Sequence, residues 1–148
     1  MTRKDRAVEL FKKGYNCAQS VFVAYADRYG MDIEMALKVS GSFGGGMGRM
    51  REVCGCVSGM FMVAGMETAQ TREHDSKAKA HNYEIVQKMA ERFKEKSGGS
   101  IICRELLGLE RPEGTYIPDK RTDEYYKKRP CIMMIQNACD VIDEFFDE

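Results

Sequence analysis

The sequence predicts an all-α protein, a single-domain bundle of about seven helices that covers residues 1–148. Apolar residues recur at helical spacing, whereas alternating β-branched runs and Asn-Gly hairpin turns do not occur. Only three prolines are present, and all of them lie in the last quarter of the chain. The length of 148 residues fits one domain with its own apolar core.

Four helices are predicted in the first half of the chain, each with a capping residue or a glycine at a boundary. Their ranges are about 2–13, 17–29, 33–40 and 53–68. Asn16 and Asp32 are suitable N-caps for the second and third helices. Gly14 and Gly30 end the first two. A glycine-rich loop precedes the fourth helix, which is the most apolar and is expected to be central.

Three further helices are predicted in the second half, at about 75–96, at 101–107 and from Pro130 onward. Ser100 caps the short middle helix, and Gly108 ends it. The polar, proline-containing segment 110–128 is predicted to be a surface excursion. Pro130 fits the first position of the last helix, where its missing N–H costs nothing.

Charge and hydropathy exclude several functional classes. Lys plus Arg and Asp plus Glu both number 23, so no basic surface for nucleic acid or anionic lipid is expected. The longest apolar stretch, residues 53–66, is shorter than the roughly 20 residues that span a bilayer. The N-terminus lacks an apolar secretory segment. We therefore expect a cytoplasmic protein without membrane insertion, whose thiols are reduced.

No catalytic motif of a hydrolase or transferase is recognisable. The chain has no Ser-His-Asp set and no paired carboxylates in a catalytic motif. The glycine-rich loop at 43–48 follows no predicted strand and contains no Gly-Lys-Ser/Thr, so nucleotide binding is not expected. The cysteines carry the functional signal instead.

Four of the six cysteines fall in the first turns of four different predicted helices. They are Cys17, Cys54, Cys103 and Cys131. Unpaired N–H groups and the positive end of the helix dipole stabilise a thiolate at such positions. We expect these four thiols to converge on one Cys₄ site, although cysteine is also a common small residue of apolar cores.

The other two cysteines fit the apolar core better. Cys56 lies about 200° around a helix from Cys54, so the two cannot face one centre if the segment is helical. Cys139 is in the middle of the last helix, among apolar residues. No Cys-x-x-Cys pair occurs, which excludes the thioredoxin motif and the zinc ribbon.

Glycines around Cys54 are expected to shape the site. In the loop they permit positive φ and close backbone approach, and their N–H groups can face thiolates. Two more glycines, four residues apart, form a stripe on the fourth helix for close packing. The set is Gly44, Gly45, Gly46, Gly48, Gly55 and Gly59.

Two arginines, Arg49 and Arg51, follow the glycine-rich loop. They can raise the positive potential around thiolates, dock an acidic partner or form structural salt bridges. The sequence leaves these three roles open.

Several short segments together resemble the C_GCAxxG_C_C family of small redox-active proteins. They are Gly14-Tyr15-Asn16-Cys17-Ala18-Gln19, Gly41-Ser42-Phe43-Gly44-Gly45-Gly46-Met47-Gly48, Cys54-Gly55-Cys56-Val57-Ser58-Gly59, Cys103-Arg104-Glu105-Leu106-Leu107-Gly108 and Cys131. The resemblance extends from about residue 4 to 145. It implies that the four cysteines at helix starts are the hallmark cysteines of the family.

One departure concerns the Cys-Gly-Ala-x-x-Gly motif of that family, because Cys56 stands here in place of its alanine. This makes Cys56 a candidate redox partner or alternative ligand. The family is also similar to the non-haem part of split-Soret cytochromes, which binds an iron–sulfur cluster. Family members are often encoded near transporter genes, which implies a functional link to a transporter.

The leading hypothesis is therefore an iron–sulfur cluster held by the four cysteines for electron transfer. A metal-free thiol–disulfide protein and a structural zinc Cys₄ site are the alternatives. The expected partner is a redox protein or a small redox species. The apolar fourth helix suits a homodimer as well as a core.

Overall fold

The computed structural model describes residues 1–111 and 113–147, so Pro112 and Glu148 lie outside the described part. Within it the chain forms eight helices and no strand, which confirms the all-α prediction. The helices are α1 (Arg3–Lys12), α2 (Cys17–Ala26), α3 (Ile33–Ser40), α4 (Gly55–Thr68), α5 (Ser76–Lys96), α6 (Cys103–Leu106), α7 (Asp123–Lys128) and α8 (Cys131–Phe146).

Two short 3₁₀ turns, Asp27–Tyr29 and Gly41–Phe43, follow α2 and α3. The next stretch, Gly44–Met47, contains three residues with positive φ, Gly45, Gly46 and Met47, and is not a regular helix. It is the predicted glycine-rich loop. None of the described helices is both long enough and apolar enough to cross a membrane.

The predicted N-caps of α2 and α3 are confirmed. Asn16 Oδ1 accepts a hydrogen bond from the N–H of Gln19 at 2.9 Å, and Oε1 of Gln19 accepts one from the N–H of Asn16. This capping box satisfies two N–H groups that a helix start leaves unpaired. Asp32 Oδ1 accepts from the N–H of Met35 at 2.7 Å. Local side-chain chemistry therefore sets both helix starts.

The core lies between α2, α4 and α8. α2 packs against α1, α4 and α8, while α5 packs against α4 and α8. The largest side chains with almost no exposed surface include Phe11, Phe22, Tyr25, Met60 and Ile142. Burial of such side chains is the main source of folding free energy.

The predicted glycine stripe on α4 packs directly against α2. A Cβ atom at Gly59 would lie 2.9 Å from the carbonyl oxygen of Ala18 and 3.0 Å from Cβ of Val21. A Cβ at Gly55 would lie 3.1 Å from the backbone nitrogen of Ala18. Only glycine allows the two backbones to approach this closely.

Three helix starts differ slightly from the prediction. Cys54 is the N-cap of α4, so the helix begins at Gly55 rather than at about residue 53. Pro130 is the N-cap of α8 rather than its first residue. The short helix α6 begins after Ile102, whose N–H donates to Ser100 Oγ at 2.9 Å.

The surface excursion 110–128 contains a helix that the sequence did not predict. In α7, Thr122 is the N-cap, and its Oγ1 accepts from the N–H of Tyr125 at 3.2 Å. Acidic residues occupy its first turn and lysines its last, which complements the helix dipole. With 6 residues the helix is too short to show an apolar period.

Candidate functional site

A cavity of about 290 Å³ lies where α2, α4, α6 and α8 begin. Five of the six cysteines line it, namely Cys17, Cys54, Cys56, Cys103 and Cys131. All are free thiols; three of the five are buried, while Cys17 and Cys131 are partly exposed. The four cysteines predicted to converge do lie around one space, together with a fifth.

The expectation that Cys56 faces away from Cys54 is wrong. Cys54 precedes the first turn of α4 and has extended backbone angles, φ −53° and ψ 134°. The angular step of a helix therefore does not relate the two residues. The Cys56 side chain is fully buried and lines the cavity together with Cys17 and Cys54.

Cys139 lies away from the cavity, in the middle of α8, as the sequence predicted. It is fully buried, and its backbone carbonyl accepts a hydrogen bond from the Tyr25 hydroxyl at 3.2 Å. Burial raises the pKa of the Cys139 thiol to about 12. Cys139 therefore stays protonated and packs as a small apolar side chain.

Cys17 is the most readily ionised thiol of the cavity. Hydrogen bonds from the Cys131 and Cys56 thiols lower the pKa of Cys17 well below its ordinary value, and the positive charge of Arg121 adds to this. The same contact with Cys17 raises the pKa of Cys131, with burial acting in the same direction. Burial raises the pKa of Cys56. Of these three thiols, Cys17 is therefore the one whose ionised form is favoured.

Arg51 provides a positive charge in the cavity lining, beside Cys103. Its Nη1 lies 3.6 Å from Cys103 Sγ, and its Nε donates to Glu113 Oε1 at 2.8 Å. Burial raises the pKa of the Cys103 thiol, whereas the guanidinium of Arg51 acts in the opposite direction. Of the roles left open for Arg51, the structure shows both a thiol contact and a salt bridge.

Arg49 forms salt bridges and has no described thiol contact. Its guanidinium is 3.3 Å from Glu113 and 3.0 Å from Asp119. Because both acids lie in the excursion, Arg49 joins the glycine-rich loop to that segment.

The glycine-rich loop forms one wall of the cavity. Gly46 has φ +72°, and a Cβ atom there would lie 2.6 Å from Cβ of Cys103 and 2.7 Å from Cα of Arg51. The loop can follow this path only with glycine at that position. Of the six glycines predicted to shape the site, Gly59 is the exception, because it contacts α2 and does not line the cavity.

A strap formed by residues 113–121 borders the cavity, and the sequence identified it only as a polar surface segment. Tyr116, Pro118 and Asp119 contribute to the lining. Asp119 pairs with Arg49 and with Arg129, each at 3.0 Å. Salt bridges therefore join the strap to Arg49, which follows the glycine-rich loop, and to Arg129 at the end of α7.

Arg121 and Tyr125 also line the cavity and were not predicted as site residues. The Arg121 guanidinium lies 3.9 Å from the ring centre of Phe11 and donates to the carbonyl oxygens of Phe11 and Tyr15. The Tyr125 hydroxyl lies 4.0 Å from Cys131 Sγ. The sequence carries no local signal for the Arg121 contacts, because Phe11 and Tyr15 lie far from Arg121 along the chain.

The thiols surround a space rather than a point. Among residues 1–111 and 113–147, no group of three or more His, Cys, Asp or Glu side chains is placed to hold a single metal ion. Both histidines, His74 and His81, are exposed residues outside the cavity lining.

Comparison with known families agrees with this cysteine pattern. The profile of a family described as "Putative redox-active protein (C_GCAxxG_C_C)" matches residues 15–145. The matched range includes all five cysteines of the cavity. Searches of curated proteins and of solved structures gave no match.

Proposed function

We propose that this chain, which belongs to the C_GCAxxG_C_C family, carries electrons by means of an iron–sulfur cluster held in the thiol-lined cavity. The proposed ligands are Cys17, Cys54, Cys103 and Cys131. The observation that supports the proposal is the convergence of thiols from four helix starts on one cavity of about 290 Å³. Interiors of native proteins are otherwise close-packed.

The donor set fits such a group. Thiolates are the usual ligands of iron–sulfur clusters, and four of them complete the common cluster types. A single zinc ion would instead need its sulfur ligands at about 2.3 Å from one point. A ring of thiols around a space favours a group with several atoms. Glycine residues in the wall leave that space free of side chains.

The surrounding charges favour ionised thiols. Helix N-termini stabilise negative charge, and Arg51 and Arg121 add positive charge near Cys103 and Cys17. When bound, the cluster would supply one-electron transfer. Positive charge and hydrogen bonds near sulfur stabilise its more negative, reduced state and therefore raise the reduction potential.

Electron exchange with a partner is proposed to occur on the side of Cys17 and Cys131. These are the two most exposed cysteines of the cavity. A redox protein or a small redox species is the partner that such a site would serve. The strap 113–121, which also borders the cavity, would contribute to its docking surface.

Anaerobic purification of the full chain tests the proposal. We expect a brown protein that contains iron and acid-labile sulfide. Replacement of Cys17, Cys54, Cys103 or Cys131 by serine should each remove at least nine-tenths of the bound iron. Cys139→Ser is the matched control and should retain the iron. Wild-type iron content in any two of the four variants would contradict the ligand assignment.

A metal-free thiol–disulfide function is the second candidate, and one observation favours it. Cys17 hydrogen-bonds with two other thiols and has a lowered pKa, as an attacking thiolate requires. A colourless, metal-free protein in which the thiols form one defined disulfide would support this function. A colourless protein with tightly bound zinc would support a structural zinc site instead.

A further inference from the structure

We infer that Cys56 forms a reversible disulfide with Cys17 across the contact between α4 and α2, and that this bond removes Cys17 from the proposed ligand set. The disulfide itself requires no metal centre, only two thiols of the chain and an external oxidant. Its effect on the metal centre rests on the function proposed above.

The geometry at the starts of α2 and α4 supports this bond. A Cβ atom built on Gly55 would lie only 3.2 Å from Cβ of Cys17, so no side chain separates the two first turns. Both thiols line the same cavity, and the Cys56 thiol is among the groups whose interaction lowers the pKa of Cys17. Disulfides need Cβ atoms about 3.5–4.5 Å apart, which requires backbones that approach each other closely, as those of the two first turns do here.

The two thiols differ in access, which orders the reaction. Cys17 is partly exposed, whereas Cys56 has no exposed surface. An oxidant from solution therefore reacts first at Cys17, and Cys56 resolves the product inside the protein. Cys131 also contacts Cys17 and is the competing partner.

The oxidant required is a low-molecular-weight disulfide, such as glutathione disulfide. The Cys17 thiolate attacks one of its sulfurs, which forms a mixed disulfide and releases a glutathione thiolate. Cys56 then gives up its proton and attacks Cys17 Sγ, which releases the second glutathione. In total, two protein thiols lose two electrons and two protons, and one glutathione disulfide becomes two glutathione thiols.

The consequence is a switch in the ligand set. With Cys17 bound to Cys56, only Cys54, Cys103 and Cys131 remain as free thiols of the cavity. Binding of the proposed cluster then requires that the Cys17–Cys56 disulfide is reduced first. A chain with alanine at position 56, as in the motif of the family, would lack the intramolecular bond.

Disulfide mapping of the full-length apoprotein tests the bond itself. The protein is treated with glutathione disulfide, remaining thiols are alkylated, and linked peptides are identified by mass spectrometry. We expect Cys17–Cys56 as the main cross-link in the wild type and in the control Cys139→Ala. Cys56→Ala should instead give a Cys17–glutathione mixed disulfide. A main cross-link between Cys17 and Cys131, or none involving Cys56, would overturn the inference.

Reconstitution with ferrous iron and sulfide in glutathione redox buffers tests the consequence. Because an intramolecular thiol has a high effective concentration, Cys56→Ala should need at least tenfold more glutathione disulfide than the wild type to lose loading. Equal sensitivity would refute the switch while leaving the iron centre intact. If neither the wild type nor Cys56→Ala binds iron, the proposed function fails. The disulfide map of the wild type still shows whether the Cys17–Cys56 bond forms.

Discussion

Cys56 and Cys139 are equally buried, yet they belong to two differently built regions. Cys139 lies in the core between α2, α4 and α8, where apolar side chains surround it. Cys56 lies in the thiol end, the part of the molecule that lines the cavity, and its neighbours include Cys17 and Cys54. Burial raises the pKa of both thiols. Only Cys56 has other thiols with which it can react.

The contrast extends to what holds each region together. The core consists of interlocked apolar side chains, with α2 and α4 in backbone contact at Gly59. The thiol end is built from glycine turns, capped helix starts and salt bridges to the strap 113–121. We therefore expect core substitutions to change the stability of the whole protein. Substitutions at the thiol end should also change the reactivity of the cysteines that line the cavity.

The largest effect on stability is expected in the core. Phe22→Ala removes a ring with 1% exposure and should lower the free energy of unfolding by about 3–5 kcal/mol. Val39→Ala, at an exposed position, should change it by less than about 0.5 kcal/mol. Urea denaturation measures both. A loss below about 1 kcal/mol in Phe22→Ala would mean that the core is not packed as described.

A smaller effect with a local signature is expected at the glycine-rich loop. Gly46→Ala should cost about 2–4 kcal/mol, because the new Cβ overlaps Cys103 and the backbone is left-handed. Gly48→Ala has the same backbone strain but no neighbour closer than 3.7 Å, so we expect about 1–2 kcal/mol. Urea denaturation measures both losses of stability. The alkylation rate of Cys103 should change in Gly46→Ala, where the new Cβ overlaps Cys103, and stay unchanged in Gly48→Ala. An unchanged alkylation rate in Gly46→Ala would place Cys103 elsewhere.

The smallest effect compares two helix caps. Asn16→Ala removes the capping box of α2 and the hydrogen bond to the carbonyl oxygen of Gly41, and should cost about 1–2 kcal/mol. Thr2→Ala removes a similar but exposed cap from α1 and should cost about 0.5–1 kcal/mol. Only Asn16→Ala should slow the reaction of Cys17 with a disulfide reagent. Equal Cys17 rates in both variants would argue against a role for the cap.

Much of the fold could be predicted from local signals. Asn16 and Asp32 are capping residues whose effect depends on only three following residues, so their helices are readable from sequence. The convergence of Cys17, Cys54, Cys103 and Cys131 was expected because each lies at a helix start. For cysteines, a shared position at helix starts indicates convergence on one site more strongly than their spacing along the chain does.

The rest depends on contacts between distant segments. Cys54 takes an extended conformation because its N–H donates to the carbonyl oxygen of Ile101 at 2.8 Å, beside a bridge between Val53 and Ile102. A helical period cannot show this, and so Cys56 was assigned to the wrong face. Arg121 contacts Tyr15, which lies in the loop between α1 and α2. No pattern around either residue indicates the pair.

The cavity is lined by residues from both halves of the chain, from Phe11 to Met134. Cys17 and Cys131 meet although almost the whole polypeptide separates them. While the chain is being synthesised, the early cysteines leave the ribosome long before Cys131 follows. Until then the set of proposed ligands is incomplete, so the proposed centre could be assembled only after α8 has been made.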